Sequence, residues 1–164
     1  MANKMRYRWG ETKPRIFAVD SAEVIEIGDL VWLNTDDVRP AADLTNYGSL
    51  ISNQDEFKQV FAGVAAQHSA SGETDPIRVD TAGVFAFTCA SATFEVGDLI
   101  GPDDAGDSGA ALLSQQVIAV AVKTAAIGVV AQREAVAVTE VLVDIISTVA
   151  TGGGMSEQTV GSGA

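Results

Sequence analysis

Several side chains in this chain have types and spacing that could support chemistry. The segment GDSGA, residues 106–110, places a serine between an aspartate and a glycine, as around a serine nucleophile. Such a serine needs a histidine base held by a carboxylate, and His68, 40 residues upstream, is the single histidine of the chain. The flanking sequence is acidic and rich in glycine. We therefore interpret Ser108 as a loop residue and predict that the protein is not an enzyme.

A lone cysteine and a group of acidic residues are the other candidates for reactive or metal-binding side chains. Cys89 lies in the apolar run VFAFTCAS, where a small buried side chain is expected. Asp103, Asp104 and Asp107 share a glycine-rich loop, and hard cations bind such oxygens. No glutamate follows at the spacing of a calcium loop, and one histidine with one cysteine cannot form a zinc site. We predict no cofactor and no metal site.

One short sequence motif occurs twice in the segments around these residues. Residues 25–31 read IEIGDLV, and residues 94–100, 69 positions later, read FEVGDLI. FAGVAAQ and IRVD then recur in the same order as AIGVVAQ and VLVD, at offsets of 65 and 64. Glycine tolerates a positive φ and the following aspartate can bond the turn backbone, whereas glycine inside a strand indicates a bulge or a close backbone approach. We infer an internal duplication of one β motif.

The hydrophobic pattern predicts an all-β protein. We expect a compact β sandwich or barrel built from two related strand–turn–strand units, with one short helix and an extended N-terminal arm. The helix is predicted within Ser52–Val60, at most two turns long and capped by Ser52 or Asn53. Thr139 and Glu140 interrupt the alternation over Val136–Ile146, which indicates a hairpin turn. One open sheet is the alternative, and its edges would need a partner.

Composition divides the chain into three parts. Residues 1–15 form a basic arm that holds five of the ten basic residues and one acid, Glu11. Residues 16–150 form the β domain, with repeat units at about 16–88 and 89–150. Residues 151–164, TGGGMSEQTVGSGA, form a Gly/Ser-rich C-terminal tail.

Charge and hydropathy exclude several classes of partner. The net charge of −12 disfavours nucleic acid, because binding requires cations that neutralise phosphates. The sequence contains no run of about 20 apolar residues, so no membrane helix is predicted. No signal peptide is expected at the N-terminus. We therefore predict a protein made in the cytoplasm, with no nucleic-acid or membrane partner.

Three segments resemble the small capsid cement, or head decoration, proteins of tailed bacteriophages. They are FKQVFAGVAAQ, DPIRVDTAGVFAFTCASATFEVGDLIGP and AIGVVAQREAVAVTEVLVDI, and the similarity runs from about Ile16 to Ile146. The resemblance implies a compact β protein without enzymatic activity that docks on the outer surface of the virion capsid. It also implies that the protein is a homotrimer, bridges neighbouring subunits of the major capsid protein, and is synthesised in the host cytoplasm.

The basic arm is our candidate for the capsid contact, because cations there can pair with acidic groups and aromatic side chains can fill pockets. The candidate residues are Arg6, Tyr7, Arg8, Trp9, Lys13 and Arg15. We expect that deletion of residues 2–15 leaves the β domain folded and abolishes capsid decoration. The alternatives are another virion component such as a tail or baseplate β protein, a small serine hydrolase acting through Ser108, and an adhesive surface module.

Overall fold

The computed structural model describes residues 3–106 and 110–152. The strands of the first half are β1 (Tyr7–Trp9), β2 (Arg15–Phe17), β3 (Leu30–Asn34), β4 (Asp37–Pro40), β5 (Phe61–Ala65) and β6 (Ile77–Asp80). Those of the second half are β7 (Ala82–Phe94), β8 (Leu99–Asp104), β9 (Leu112–Ala119), β10 (Gly128–Val130) and β11 (Glu134–Ile146). Helix α1 spans Leu50–Val60, and two 3₁₀ turns span Ala41–Asp43 and Lys123–Ala125. Strands hold 48% of the residues, so the predicted all-β class is confirmed.

Each half of the chain forms its own five-stranded sheet, and the two sheets have the same strand order. The first is β2-β6-β5-β3-β4, and its two edges are joined by a parallel bridge between Ala18 and Asp37. The second is β7-β11-β10-β8-β9, closed by parallel pairing of β7 with β9, in which Thr88 lies opposite Gln116. We call these sheets the first and the second barrel.

The strand register repeats as well. Val31 lies opposite Gly63 in the first barrel, and Ile100 lies opposite Gly128 in the second. The residue after each of these glycines, Val64 or Val129, pairs with an aspartate of the next strand. These pairs keep the offsets of 69, 65 and 64 read from the sequence. The register therefore confirms the predicted duplication.

The two GD turns also have the same hydrogen bonds. Asp29 Oδ2 accepts a bond from the Glu26 N–H at 2.9 Å, and Asp98 Oδ2 accepts one from the Glu95 N–H at 2.9 Å. The glycine before each aspartate has a positive φ, of 98° and 93°, a conformation that glycine adopts without a steric cost. The turn chemistry predicted from the sequence is confirmed in both units.

Two sequence predictions about the second half of the chain are corrected. The predicted unit boundary at 88/89 falls inside β7, and the pairing pattern begins the second unit at Ala82. The predicted hairpin at Thr139-Glu140 is absent, because β11 continues through these residues with register shifts against β7. Such an irregularity breaks the alternation without reversing the chain.

Helix α1 has 11 residues, more than the two turns predicted, and begins after Ser49. The Ser49 side chain accepts the bond from the Ser52 N–H, so neither Ser52 nor Asn53 is the cap. Burial against the second barrel extends the helix, since Phe57 is fully buried and Gln54 Nε2 donates to the Pro102 carbonyl at 2.8 Å.

The larger apolar core joins the two halves. It includes Leu30 and Phe61 of the first barrel, Phe57 of α1, and Phe85 and Ile100 of the second barrel, all buried. A smaller cluster is formed by side chains of the first half of the chain, and Val149, after β11, packs against it. Because burial of apolar area is the main stabilising term, we expect the two barrels to unfold together.

Candidate binding surface on the N-terminal segment

The N-terminal segment is extended, as predicted, but it lies on the body of the protein from residue 3 onward. The Lys4 N–H donates to the Ile27 carbonyl at 2.8 Å, and the Ile27 N–H donates to Asn3 Oδ1 at 2.8 Å. Further along, β1 pairs antiparallel with β7, where Tyr7 lies opposite Phe85. The prediction of an arm separate from the β domain is therefore corrected, because β1 adds a sixth strand to the second sheet.

Arg6 is the residue that holds this strand down. It is only 1% exposed, and its guanidinium donates from Nε and Nη2 to Gln115 Oε1 at 3.1 and 2.8 Å. Nη1 donates to the Ala86 carbonyl at 2.9 Å, and the guanidinium carbon lies 5.7 Å from the centre of the Phe87 ring. Burial lowers the pKa of Arg6, and these bonds compensate for the desolvation of the charge. As folded, Arg6 is an internal anchor and not a partner contact.

Gln115 extends the anchor from the second barrel to the first. Its Nε2 donates to Asp29 Oδ1 at 2.8 Å, and Asp29 is buried in the GD turn before β3. Burial raises the pKa of Asp29, while its hydrogen bonds from Glu26 and Gln115 lower it. The series Arg6–Gln115–Asp29 therefore connects the N-terminal segment with both barrels.

The large apolar side chains of the N-terminal segment are exposed. Met5, Tyr7 and Trp9 have 58%, 37% and 47% exposure, and a register shift between Tyr7 and Trp9 interrupts the regular alternation of β1 against β7. Tyr7 is fixed by an edge contact with Phe85 at 5.8 Å and by a bond from its hydroxyl to the Gly10 carbonyl at 2.8 Å. We call Met5, Tyr7 and Trp9 the β1 stripe. A row of large apolar side chains in water is typical of an interaction site.

A groove runs beside the β1 stripe. Met5 and Tyr7 form one wall, and Arg78 and Asp80 of β6 lie on the other. Its volume is about 500 Å³. Arg78 Nε pairs with Asp80 Oδ1 at 3.2 Å, which holds the guanidinium at this surface.

The predicted basic residues have different environments. Lys4 and Arg8 both pair with Glu140, at 3.5 and 3.6 Å. Lys13 and Arg15 are exposed, and neither has an ion pair within residues 3–106 and 110–152. Lys13 and Arg15 therefore follow the β1 stripe in sequence as two exposed cations without an acidic partner in the described part of the chain, although the chain as a whole is acidic.

Ser108, His68, Cys89 and a group of aspartates are the other candidates for reactive or metal-binding residues. Ser108 and Asp107 lie outside the described residues, and His68 is exposed in a loop. Cys89 is buried as predicted, and burial together with nearby carboxylates raises the pKa of its thiol, which keeps it protonated. In the described part of the chain, no three His, Cys, Asp or Glu side chains are grouped to hold a metal ion. No described helix has the length and apolarity needed to cross a membrane.

No protein-family model and no curated protein matches this chain.

The anchored position of Arg6 had no signal in the sequence. Lys4, Arg6 and Arg8 alternate with Met5, Tyr7 and Trp9, but this alternation does not distinguish the buried Arg6 from the exposed Lys4 and Arg8.

Proposed function

We propose that this protein is a capsid cement protein of a tailed bacteriophage. It binds the outer surface of the head and stabilises contacts between subunits of the major capsid protein. The proposal is supported by the resemblance of the three segments described above and by one structural observation. That observation is the β1 stripe, an exposed apolar row on a strand held by a buried arginine.

The anchored stripe suits a passive clamp. A binding residue contributes most when its position is set before binding, because less conformational freedom is lost on association. Arg6, Gln115 and Asp29 set the backbone of β1, and Tyr7 is further fixed by Phe85. Trp9 and Tyr7 are of the residue types that dominate binding hot spots. Lys13 and Arg15, which follow them in sequence, favour an acidic rim on the capsid subunit.

A symmetric oligomer would strengthen such a clamp. If three copies associate, each further contact forms at a high effective concentration, so modest individual surfaces give stable attachment. We propose a homotrimer, for which light scattering after size exclusion should give three times the chain mass of 17.0 kDa.

Electron cryomicroscopy of purified heads, with and without the protein, tests the function. We expect density for the two barrels on the outer surface of the shell, at a copy number that follows that of the major capsid protein, with β1 facing the shell. Density only in a tail or baseplate would support the alternative virion component instead. Heads that bind no protein at saturating concentration would overturn the proposal.

A further inference from the structure

The duplicated fold has one strand position that is filled on the second barrel and open on the first. On the second barrel β1 lies along β7, and both backbone groups of Ala86 bond to Arg6. The Ala86 N–H donates to the Arg6 carbonyl at 2.8 Å, and the Ala86 carbonyl accepts from Arg6 Nη1 at 2.9 Å. The strand of the first barrel that corresponds to β7 is β2, because both stand at the same place in the two strand orders.

Ile16 of β2 corresponds to Ala86 of β7. Ile16 lies opposite Arg78, and Ala86 lies opposite Leu142. Arg78 and Leu142 are equivalent residues of the repeated sequences IRVD and VLVD. In both barrels the parallel contact that closes the sheet begins two residues further along the strand. The register therefore places the backbone of Ile16 where the second barrel receives β1.

The backbone of Ile16 is open at this edge. The Arg78 carbonyl accepts from the Ala66 N–H at 2.9 Å, and the Arg78 N–H donates to Gln67 Oε1 at 2.6 Å, so both groups point away from β2. Ile16 and Arg78 thus form a non-hydrogen-bonded antiparallel pair, in which the N–H and C=O of Ile16 point outward. Neither group has a hydrogen bond in the described part of the chain, and the Ile16 side chain is 68% exposed.

An aromatic ring lies next to the strand position in both barrels. Phe87 follows Ala86, and the centre of its ring lies 5.7 Å from the guanidinium carbon of Arg6. Phe17 follows Ile16 in the same way and is partly exposed. Because the face of an aromatic ring attracts a cation, Phe17 can receive a guanidinium at the position that corresponds to Phe87.

A carboxylate of the first barrel stands in place of the amide that accepts from Arg6. Gln115 is the residue before the closing contact of the second barrel, and Asp36 is the residue before that of the first. Asp36 is exposed in the turn between β3 and β4, and it has no ion pair among the described residues. A hydrogen bond between a guanidinium and a carboxylate is stronger than one to a neutral amide. The first barrel therefore has an acceptor suited to an arginine.

Two differences distinguish the open position from the filled one. Pro14 has no N–H to donate, so the open edge is short and centres on Ile16. Arg15 stands at the place of Phe85, the ring that Tyr7 contacts on the second barrel. The side chain that follows the arginine of an added strand would therefore meet a guanidinium in place of a ring.

We propose that the edge of β2 binds an extended, arginine-bearing segment of a partner protein, which adds a strand antiparallel to β2 as β1 does to β7. The arginine of that segment bonds to Asp36 and lies over Phe17. In such strand addition the main chain supplies affinity and the side chains supply specificity. This binding site does not depend on the proposed function.

A synthetic peptide with the sequence of residues 3–10, NKMRYRWG, tests the site on the full chain. The chain's own β1 stays on β7, because a tethered strand has a high effective concentration. We expect the added peptide to slow hydrogen exchange at the Ile16 amide, followed by NMR, and to shift the amide resonances around it. A peptide with Arg6→Ala should bind about tenfold more weakly, because it lacks the charge-assisted bond.

Substitution of the acceptor gives the reciprocal test. Asp36→Asn in the protein should weaken binding of the original peptide about fivefold, and Asp75→Asn, at another exposed aspartate, is the matched control. The peptide variants leave the protein unchanged, so they test the site even if Asp36→Asn alters the turn. A peptide that protects no amide of β2, or that perturbs Ala86 and β7 instead, would overturn the proposal. Equal binding of the original and the Arg6→Ala peptide would also overturn it.

Discussion

The carboxamide oxygen of Gln115 accepts two hydrogen bonds from the guanidinium of Arg6, 109 residues away in sequence, at 2.8 and 3.1 Å. Both residues are buried, and the pair joins β1 to the second barrel. Arg6→Ala would leave Gln115 Oε1 without a donor and uncover Phe87. We expect a loss of about 3 kcal/mol in the free energy of unfolding.

Urea unfolding measures this loss, and Arg8→Ala is the control. Arg8 is exposed, and apart from long hydrogen bonds to the Arg6 and Tyr7 carbonyls its partner among the described residues is Glu140 at the surface, so its removal should cost at most about 1 kcal/mol. Hydrogen exchange at the Ala86 amide, which donates to the Arg6 carbonyl, should accelerate in Arg6→Ala. Equal stability of the two variants would contradict the anchor. The burial of Arg6 also argues against the expectation that deleting residues 2–15 leaves the β domain folded.

A second prediction concerns the glycine that repeats in β5 and β10. A Cβ at Gly128 would lie 2.3 Å from the Asp144 carbonyl oxygen, and one at Gly63 would lie 2.1 Å from that of Asp80. Gly128→Ala should therefore force β10 and β11 apart and destabilise the protein by about 3 kcal/mol. Gly97→Ala, at a positive φ with open space around it, should cost only about 1 kcal/mol. Thermal unfolding ranks the two, and the reverse order would disprove the steric argument.

The duplicated GD turn allows a comparison between equivalent positions. Asp98 bonds its own turn through the Glu95 N–H, whereas Asp29 bonds the corresponding N–H of Glu26 and also Gln115. Asp98→Ala should cost about 1 kcal/mol and Asp29→Ala about 2–3 kcal/mol. Chemical denaturation of the two variants measures the difference. If both cost the same, the bond between the barrels adds nothing to stability.

The β1 stripe gives a prediction that depends on the proposed function. Trp9→Ser should reduce occupancy on purified heads at least tenfold, while leaving the unfolding midpoint almost unchanged because Trp9 is half exposed. Val136→Ser is the control, since Val136 is an exposed apolar residue of β11, 78% accessible, outside the stripe. Co-sedimentation with heads measures occupancy. Normal decoration by Trp9→Ser would exclude the stripe as the capsid contact.

Features that depend on neighbours in sequence were predictable. The repeated motif, IEIGDLV and FEVGDLI, correctly indicated two related units. A GD turn depends only on a glycine with a positive φ and on a hydrogen bond from the aspartate to the N–H three residues earlier. The glycines in FAGVAAQ and AIGVVAQ correctly indicated a close backbone approach. The all-β class followed from the same short patterns.

Features that depend on distant parts of the chain were not predictable. The predicted hairpin in β11 was wrong, because pairing with β7 keeps the strand continuous. The sequence by itself determined the all-β class, the duplicated strand–turn–strand unit and the basic first segment. Only the tertiary structure decided that each unit forms a sheet of its own instead of sharing one sandwich or barrel. It also decided which side chains of the first segment are outward, because Gln115 and Phe87, remote in sequence, draw Arg6 into the interior and leave Tyr7 and Trp9 in solvent.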